Sequence, residues 1–400
     1  MDPVANPYAP GAGTPPPELA GRDDLRETAR IALERVKRGL PTRSLLMVGL
    51  RGVGKTVLLD SIREAAEGSG IQTVRMEAPE NRSLPALLAP ELRGALLRLS
   101  RNQQAKELAQ RGLRALSGFA KGLKIKYADI QVGFDFEPEA GLADNGDLEQ
   151  DLPALLEAAA QAAQSAGTAL AMFIDELQYV DEAELAALIT ALHRCAQRQL
   201  PVVLVGAGLP QLRGRMGKAK SYAERLFEFP EVGPLPPDAA ALAITRPAEK
   251  EGVRFTPDAV HEIVRQTKGY PYFLQEWGKH AWDVATSSPI TFADVTVGAV
   301  SAIAALDASF FRVRFDRLTP AEKKYLRAMA DIGPGPHRSG DIAERLSRKV
   351  TALGPTRNQL ISKGMIWSPN HGDTAFTVPL FDEFMRRIMP GDGWKTSKGN

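Results

Sequence analysis

The sequence predicts an α/β fold in which helices cover a parallel sheet, followed by a helical region and a small C-terminal unit of three helices and a hairpin. Three observations lead to this prediction. Short apolar segments alternate with helical ones over residues 44–229, as is typical of a parallel sheet with helices on both faces. A glycine-rich turn joins the first apolar segment to the helix after it. Beyond residue 236, helical periodicity replaces the alternation until a hairpin pattern appears near residue 366.

The composition is that of a globular chain. Its 400 residues allow two or three domains and a sizeable core, with 44% hydrophobic and 24% charged residues. Cys195 is the only cysteine, which excludes a disulfide within the chain and suits a reducing cytoplasm. No apolar run approaches the ~18 residues of a membrane span, and the proline-rich N-terminus lacks an apolar signal core. We therefore expect a cytoplasmic protein without a membrane span.

The net charge of +2 is small, but the charges are unevenly distributed along the chain. Residues 93–126 contain nine Lys or Arg and one acid, whereas residues 127–193 contain fourteen acids and no Lys or Arg. Residues 194–220 then contain six basic residues and no acid. Such segregation favours surfaces that face different partners or each other, and helices with solvated charged faces would give the same pattern.

Residues 49–56, the phosphate loop, fit the pattern G-x-x-x-x-G-K-[ST]. A buried strand is predicted before them at 44–48 and a helix after them at 57–63, which is the context that this motif requires. Glycines let successive backbone N–H groups point at phosphate oxygens, and the helix start adds its positive end. Lys55 offers a charge to the outer phosphates, and Thr56 offers a hydroxyl to Mg²⁺. The candidate nucleotide contacts here are Gly49, Leu50, Arg51, Gly52, Val53, Gly54, Lys55, Thr56 and Val57.

A second nucleotide motif ends the strand predicted at 170–175. Asp175 follows a run of apolar residues and is placed to hold Mg²⁺ through water. Glu176 is placed to orient or deprotonate an attacking water. Together with the phosphate loop, this motif favours an ATPase over a pure binding module. Gln178 is close enough along the chain to reach the site, with helix capping or a surface position as the alternative.

The remaining elements of the core follow from periodicity and turn residues. Residues 1–20 contain many prolines and are predicted to be extended or disordered on their own. Residues 84–136 are interpreted as an insertion that is mostly helical and ends in a hairpin of 123–127 and 130–136. The other elements predicted for the core at 21–235 are a helix at 23–38, a strand at 71–76, a helix at 152–165, a strand at 201–208 and an edge strand at 226–229.

A proline-rich boundary at 234–237 separates the core from a helical lid and linker helix at 236–314. A winged helix is predicted at 315–390, before a tail at 391–400. Its third helix would place polar and basic side chains where they can address a DNA major groove, although winged helices also dock proteins. The predicted helices are 238–251, 257–267, 272–285 and 294–314 in the lid and linker, and 320–330, 339–346 and 355–363 in the winged helix, whose hairpin is 365–367 and 374–378. The candidate contacts to double-stranded DNA are Arg348, Lys349, Arg357, Asn358, Gln359 and Lys363.

The order of phosphate loop, acidic strand end, helical lid and winged helix resembles bacterial ATPases of the AAA+ class with an origin-recognition-like, replication-initiator-type P-loop domain. This resemblance implies that Gly21 and Arg22 lie beside the adenine. It also implies a nucleotide at a subunit boundary, where an arginine of a neighbour reaches the γ-phosphate. Arg225 is the candidate for that arginine, with a surface ion pair as the alternative. Beyond the two nucleotide motifs, the segments that are similar to this group are 15–23, 141–149 and 175–179.

Two positions depart from that group. The end of the fourth strand, at 205–208, lacks the polar side chain that usually senses the phosphate. The lid helix begins Gly269-Tyr270-Pro271 in place of Gly-Asp-x-Arg, which resembles the lid of signal-transduction (STAND) ATPases and makes Pro271 a candidate nucleotide contact. Both departures predict slow turnover with binding intact.

These patterns predict an ATPase that uses ATP and Mg²⁺, with Lys55, Glu176 and Arg225 acting in the hydrolytic step. Slow hydrolysis would drive a conformational or assembly switch on DNA through the winged helix. The expected partners are ATP or ADP, double-stranded DNA and a second copy or another protein, without a membrane. The alternative is a STAND-like signalling or defence scaffold whose winged helix docks protein.

Overall fold

The computed structural model describes residues 1–11, 13–78, 83–123 and 136–396. This part of the chain forms two compact units. The sheet unit consists of residues 22–48 and 55–231, and the helical unit consists of residues 1–21, 49–54 and 232 onwards.

Five strands form the centre of the sheet unit: β1 (Ser44–Val48), β2 (Gln72–Glu77), β3 (Leu170–Asp175), β4 (Val202–Gly208) and β5 (Phe227–Glu228). They pair in parallel in the order β2-β3-β4-β1-β5. β1 and β3 are buried along their whole length, as expected of parallel strands with both faces covered. The predicted α/β fold with a parallel sheet is confirmed. Val48 pairs with Gly208 and Glu77 pairs with Asp175, so the carboxyl ends of four strands lie along one edge.

Eight helices accompany the strands among the described residues of the sheet unit. Two of them lie in the predicted insertion and pack against each other, and the first of the two also packs against β2. The hairpin predicted at the end of the insertion lies outside the described residues except for Leu123 and Phe136. The helices are α1 (Asp23–Lys37), α2 (Lys55–Gly68), α3 (Leu84–Leu99), α4 (Lys106–Gly122), α5 (Leu148–Ser165), α6 (Glu182–Gln197), α7 (Leu212–Ala219) and α8 (Ala223–Leu226).

From residue 232 onwards, the helical unit contains α9 (Pro237–Lys250), α10 (Pro257–Thr267) and α11 (Pro271–Val284), close to the three lid helices that the sequence predicts. The predicted linker helix is three consecutive segments: α12 (Phe292–Leu306), a π-helical turn at Asp307–Phe311, and α13 (Arg312–Asp316). By length and composition, Phe292–Asp316 would be able to cross a membrane, with a mean hydropathy of 1.4 over its most apolar window. This is weak evidence for a span, because core helices of soluble proteins pass the same test.

The C-terminal part of the helical unit contains, within the described residues, five helices and a three-stranded antiparallel sheet of order β6-β8-β7, with strands β6 (His337–Arg338), β7 (Ile366–Trp367) and β8 (Asp373–Phe376). The helices are α14 (Pro320–Ile332), α15 (Ser339–Arg345) and α16 (Val350–Ser362), and α17 (Phe381–Ile388) and α18 (Gly393–Thr396) follow the sheet. The start predicted for α16 is wrong by five residues: Pro355 lies inside the helix, not at its first turn. β6 was not predicted, because a two-residue strand carries no periodicity. α17 was not predicted either.

The N-terminal segment is ordered by contacts with α11 rather than extended alone. Tyr8 is buried, and its ring lies against Gly278, where an added Cβ would come within 2.7 Å of Tyr8 Cδ1. Its hydroxyl donates to the carbonyl of Ile244, and burial raises the pKa of Tyr8. The Nδ2 of Asn6 donates to the carboxylate of Asp283 at 2.8 Å. This N-terminal segment, residues 1–11, therefore packs on the helical unit and is called the strap below.

Candidate nucleotide site

The structure brings together the two residues that the sequence proposes for Mg²⁺. Thr56 lies in the first turn of α2, and Asp175 is the last residue of β3. The Thr56 Oγ1 donates a hydrogen bond of 2.6 Å to the Asp175 Oδ2. Asp175 is only 1% exposed, and this burial raises the pKa of its carboxyl group, an effect that the Thr56 hydrogen bond opposes.

This donor set suits Mg²⁺. A hydroxyl oxygen and a carboxylate oxygen are hard ligands, and Mg²⁺ in nucleotide sites takes one or two protein ligands with phosphate and water oxygens. Among the described residues, no group of three or more His, Cys, Asp or Glu side chains is placed to hold a metal by itself. The two residues therefore fit a cation that enters with its nucleotide.

Glu176 follows Asp175 and has a left-handed backbone, with φ of 52°. Its backbone N–H donates to the Asp175 Oδ1 at 2.8 Å, and a short 3₁₀ turn, Leu177–Tyr179, begins after it. The side chain of Gln178 lies in this turn and is 4% exposed. Its Nε2 donates to the carboxylate of Glu176, and its Oε1 accepts from the Leu209 N–H at 2.9 Å. Gln178 thus reaches the site and does not lie on the surface.

The glycines of the phosphate loop are required for different reasons. Gly52 and Gly54 have φ of 78° and 85°, a conformation that glycine adopts without strain. Gly49 has no positive φ, but a Cβ there would come within 2.1 Å of the Val232 carbonyl oxygen. Lys55, the first residue of α2, is 7% exposed. The backbone conformation of the loop is therefore compatible with a phosphate cradle.

Within the helical unit, two other segments bond to the backbone of the phosphate loop. The Tyr272 N–H, in the first turn of α11, donates to the Gly52 carbonyl at 3.2 Å. The Arg51 N–H donates at 3.0 Å to the carbonyl of Thr377, just after β8. Neither Tyr272 nor Thr377 was a candidate from the sequence. The helix start at Pro271 was a signal for Tyr272, whereas no pattern in the sequence pointed to Thr377.

The residues that the resemblance places near the base belong to different units. Pro271 is the first residue of α11, and Gly269 before it has φ of 72° and packs on the backbone of Leu235. Gly21 has φ of 66° and lies against Ala239 in the helical unit. Arg22 precedes α1 in the sheet unit, and burial lowers the pKa of its guanidinium group. Their contact with adenine stays a prediction.

Arg225 lies far from Asp175 within the sheet unit. Its side chain is exposed and lines a cleft of about 450 Å³ together with residues 41–44 and Val202. Residues 41–44 and Val202 mark the amino ends of β1 and β4, whereas Asp175 is at a carboxyl end. Arg225 is therefore unable to assist Asp175 and Glu176 of its own chain, and its proposed role requires a neighbouring copy.

The six candidate DNA contacts separate into two groups. The guanidinium group of Arg357 donates to the Thr374 Oγ1 at 3.0 Å, the Ser368 Oγ at 2.9 Å and the Asp373 carbonyl at 3.0 Å. The Lys363 Nζ donates to the Glu322 carboxylate at 2.7 Å. These two cations hold the C-terminal part together. The exposed candidates are Arg348, Lys349, Asn358 and Gln359.

The parallel sheet, the phosphate loop and the Thr56–Asp175 pair define a P-loop nucleoside triphosphatase core. Residues 18–205 match the family model described as AAA ATPase domain, and the core has the AAA+ type of fold. Residues 308–385 match a second family model, described as a domain of unknown function. No curated protein matches the chain.

Several solved structures are similar to this chain over most of its length at low sequence identity. A Walker-type ATPase of Pyrococcus abyssi is similar with a TM-score of 0.59 and 15% identity, over 92% of this chain and 96% of that one. The ORC1 protein of Aeropyrum pernix, solved in complex with DNA, gives 0.49 and 16% over 94% of each chain. The RuvB Holliday junction branch migration motor of Thermotoga maritima gives 0.44 and 16%, over 91% of this chain and 96% of that one. At 15% identity, the likeness to the Pyrococcus abyssi structure shows the fold alone.

Proposed function

We propose that this protein binds ATP with Mg²⁺, hydrolyses it slowly, and uses the bound nucleotide to control its association with DNA. The observation that carries the proposal is the 2.6 Å hydrogen bond between Thr56 and Asp175, at the carboxyl edge of the sheet. It joins the two motifs that P-loop ATPases use to hold the metal of the nucleotide. Glu176 is the neighbouring residue and acts as the base or the orienting group for water.

Each residue has a distinct part in this reaction. Lys55 neutralises the outer phosphates, and the loop N–H groups hold their oxygens. Thr56 and Asp175 hold Mg²⁺, which neutralises charge on the phosphates when it is bound. Glu176 accepts a proton from the attacking water or orients it. Because Gly269-Tyr270-Pro271 leads into the lid helix α11 and offers no arginine there, we propose that turnover is slow.

The switch is supported by hydrogen bonds within the helical unit. The phosphate loop is bonded through Gly52 to Tyr272 of the lid, and through Arg51 to Thr377 of the C-terminal part. Phosphates that bind the N–H groups of the loop would shift its backbone. This shift would change both hydrogen bonds. We propose that this is how occupancy of the loop reaches the C-terminal part.

The C-terminal part is proposed to be a winged helix that contacts DNA through α16 and the residues just before it. Arg348 and Lys349 precede this helix and are exposed, and among the described residues neither side chain forms an ion pair. Asn358 and Gln359 are exposed on the helix itself. Cations suit the phosphate backbone and amides suit base edges.

The test is a titration of double-stranded DNA with the full chain, in ATP, in ADP and without nucleotide. We expect tighter binding in one nucleotide state and loss of that difference in Lys55→Ala, which removes the phosphate contact. A variant carrying Arg348→Ala and Lys349→Ala should bind more weakly in all states and show a smaller salt slope, by about 0.9 per lost phosphate contact. The matched control removes two exposed cations elsewhere, Arg101→Ala and Lys106→Ala.

A second candidate is a STAND-like scaffold whose C-terminal part docks protein. The inward bonding of Arg357 and Lys363 favours it, because two of the four predicted cations are then unavailable to DNA phosphates. Absence of binding to any duplex at low salt, with intact ATP binding, would support this candidate and overturn the DNA proposal.

A further inference from the structure

Gln178 connects two places that are separate in the sequence. Its amide nitrogen donates to the carboxylate of Glu176, and its amide oxygen accepts from the backbone of Leu209, directly after β4. Only one orientation of the amide satisfies both partners, because Leu209 offers an N–H and Glu176 offers carboxylate oxygens. Gln178 is 4% exposed, so water competes little for either bond.

The end of β4 is shaped to receive this side chain. Gly208 is the last residue of the strand, and a Cβ there would come within 2.9 Å of the Gln178 Oε1 and 2.8 Å of the Leu212 Cδ2. Because residue 208 is a glycine, there is space beside it for the amide group of Gln178. β4 ends without a polar side chain of its own, and Gln178 supplies an amide at that place.

Arg215 fixes the backbone on which Gln178 is carried. Arg215 lies in α7. Its guanidinium group donates to the carbonyl of Gln178 and, at 2.7 Å, to the carbonyl of Val180. Burial lowers the pKa of Arg215. The turn after Glu176 is therefore bonded to α7 by its backbone and to β4 by its side chain.

We infer that Gln178 is a positioning residue for ATP hydrolysis, which orients the Glu176 carboxylate and ties it to the end of β4. This inference rests on the proposed function, because it assumes that Glu176 acts on water. A carboxylate held by a buried amide presents its oxygens in a fixed direction, and misplacement by about 1 Å can cost 10²-fold in rate. Gln178 acts through Glu176 and makes no contact with the reacting atoms in this role.

The test measures kcat and KM for ATP in variants of the full chain. Gln178→Leu should lower kcat by roughly ten- to a hundredfold at nearly unchanged KM. A merely structural role would instead lower the melting temperature and raise KM. Gln197→Leu, at an exposed position that ends α6, is the matched control and should retain the rate. Because Gln178 and Glu176 act as one unit, the double variant with Glu176→Gln should be no slower than Glu176→Gln alone.

Gly208→Ala provides a second, independent change, which keeps Gln178 but fills the space of its amide oxygen. It should lower kcat in the same way, whereas Gly214→Ala in α7, where a Cβ meets nothing within 4 Å, should not. Wild-type kcat in both Gln178→Leu and Gly208→Ala, with Glu176→Gln inactive, overturns this inference alone. A wild-type chain that does not hydrolyse ATP, or a fully active Glu176→Gln, overturns the proposed function and the inference with it.

Discussion

The ring of Tyr8 occupies the space that a side chain at residue 278 would fill, although 270 residues separate it from Gly278 in the chain. Gly278→Ala would place a Cβ 2.7 Å from Tyr8 Cδ1. Alanine normally stabilises a helix interior relative to glycine by up to about 1 kcal/mol. Here the overlap should reverse the sign, and we expect the free energy of unfolding to fall by about 1–3 kcal/mol.

Urea denaturation measures this change. The matched control is Gly354→Ala, also inside a helix, where a Cβ meets nothing within 4 Å. It should be neutral or stabilising. Equal stabilisation by both substitutions would show that the strap does not pack on α11 in solution.

Asp175 gives a pH dependence with a definite sign. Burial raises the pKa of its carboxyl group above the unfolded value, so between the two values the folded state binds more protons than the unfolded state. Stability from this group is therefore lost as the pH rises through that window. Asp175→Asn removes the charge, and its single amide oxygen keeps an acceptor for either Thr56 or the Glu176 N–H but not for both. The melting temperature of nucleotide-free Asp175→Asn minus that of wild type should therefore rise with pH through this window and then level off. A difference that shrinks with rising pH would contradict the direction of the shift.

Arg357 should stabilise the fold, whereas Arg348 and Lys349 should contribute little to its stability. Arg357→Ala removes three hydrogen bonds that join α16 to β8 and the turn before it, and we expect a loss of about 1–3 kcal/mol in the free energy of unfolding. Replacing Arg348 and Lys349 together by Ala should stay within about 0.5 kcal/mol, because both side chains are exposed. Thermal unfolding without DNA compares them. Equal losses of stability would contradict the view that Arg357 stabilises the fold while Arg348 and Lys349 do not.

Arg225 should act only between copies of the chain. Glu176→Gln and Arg225→Ala are each expected to lower the ATPase rate, the second by up to about 10³-fold if the arginine reaches a neighbouring γ-phosphate. A mixture of the two should regain activity, because one variant supplies Glu176 and the other supplies Arg225. A mixture of Glu176→Gln with Lys55→Ala is the control and should stay inactive. If the first mixture gains no activity, Arg225 does not act on the nucleotide of a neighbouring copy.

The motifs predicted which residues approach each other where local chain geometry is strongly constrained. The Thr56–Asp175 contact follows from two patterns, because each pattern requires a strand end and parallel strands share an edge. The direction of the Gln178 side chain was left open in the sequence, since it depends on Gly208, thirty residues later. A side chain that packs on a glycine far away in the sequence leaves no periodic pattern from which the contact could be predicted.

The C-terminal prediction shows a second limit. The basic character of residues 345–363 is evident from composition, but composition does not reveal which cations face inward. Arg357 and Lys363 point to partners that the hairpin and α14 bring into place. Counting charges therefore overestimated the number of cations that face solvent in this segment.

Arg357 also determines how a partner would meet this surface. Its guanidinium group bonds to Ser368 and to Asp373, on both sides of the hairpin turn, while its backbone belongs to α16. Helix and hairpin are thereby fixed at one spacing before any encounter. A binding partner has no need to freeze their relative motion, so less of its affinity is lost to entropy, but it must match a template that does not adapt.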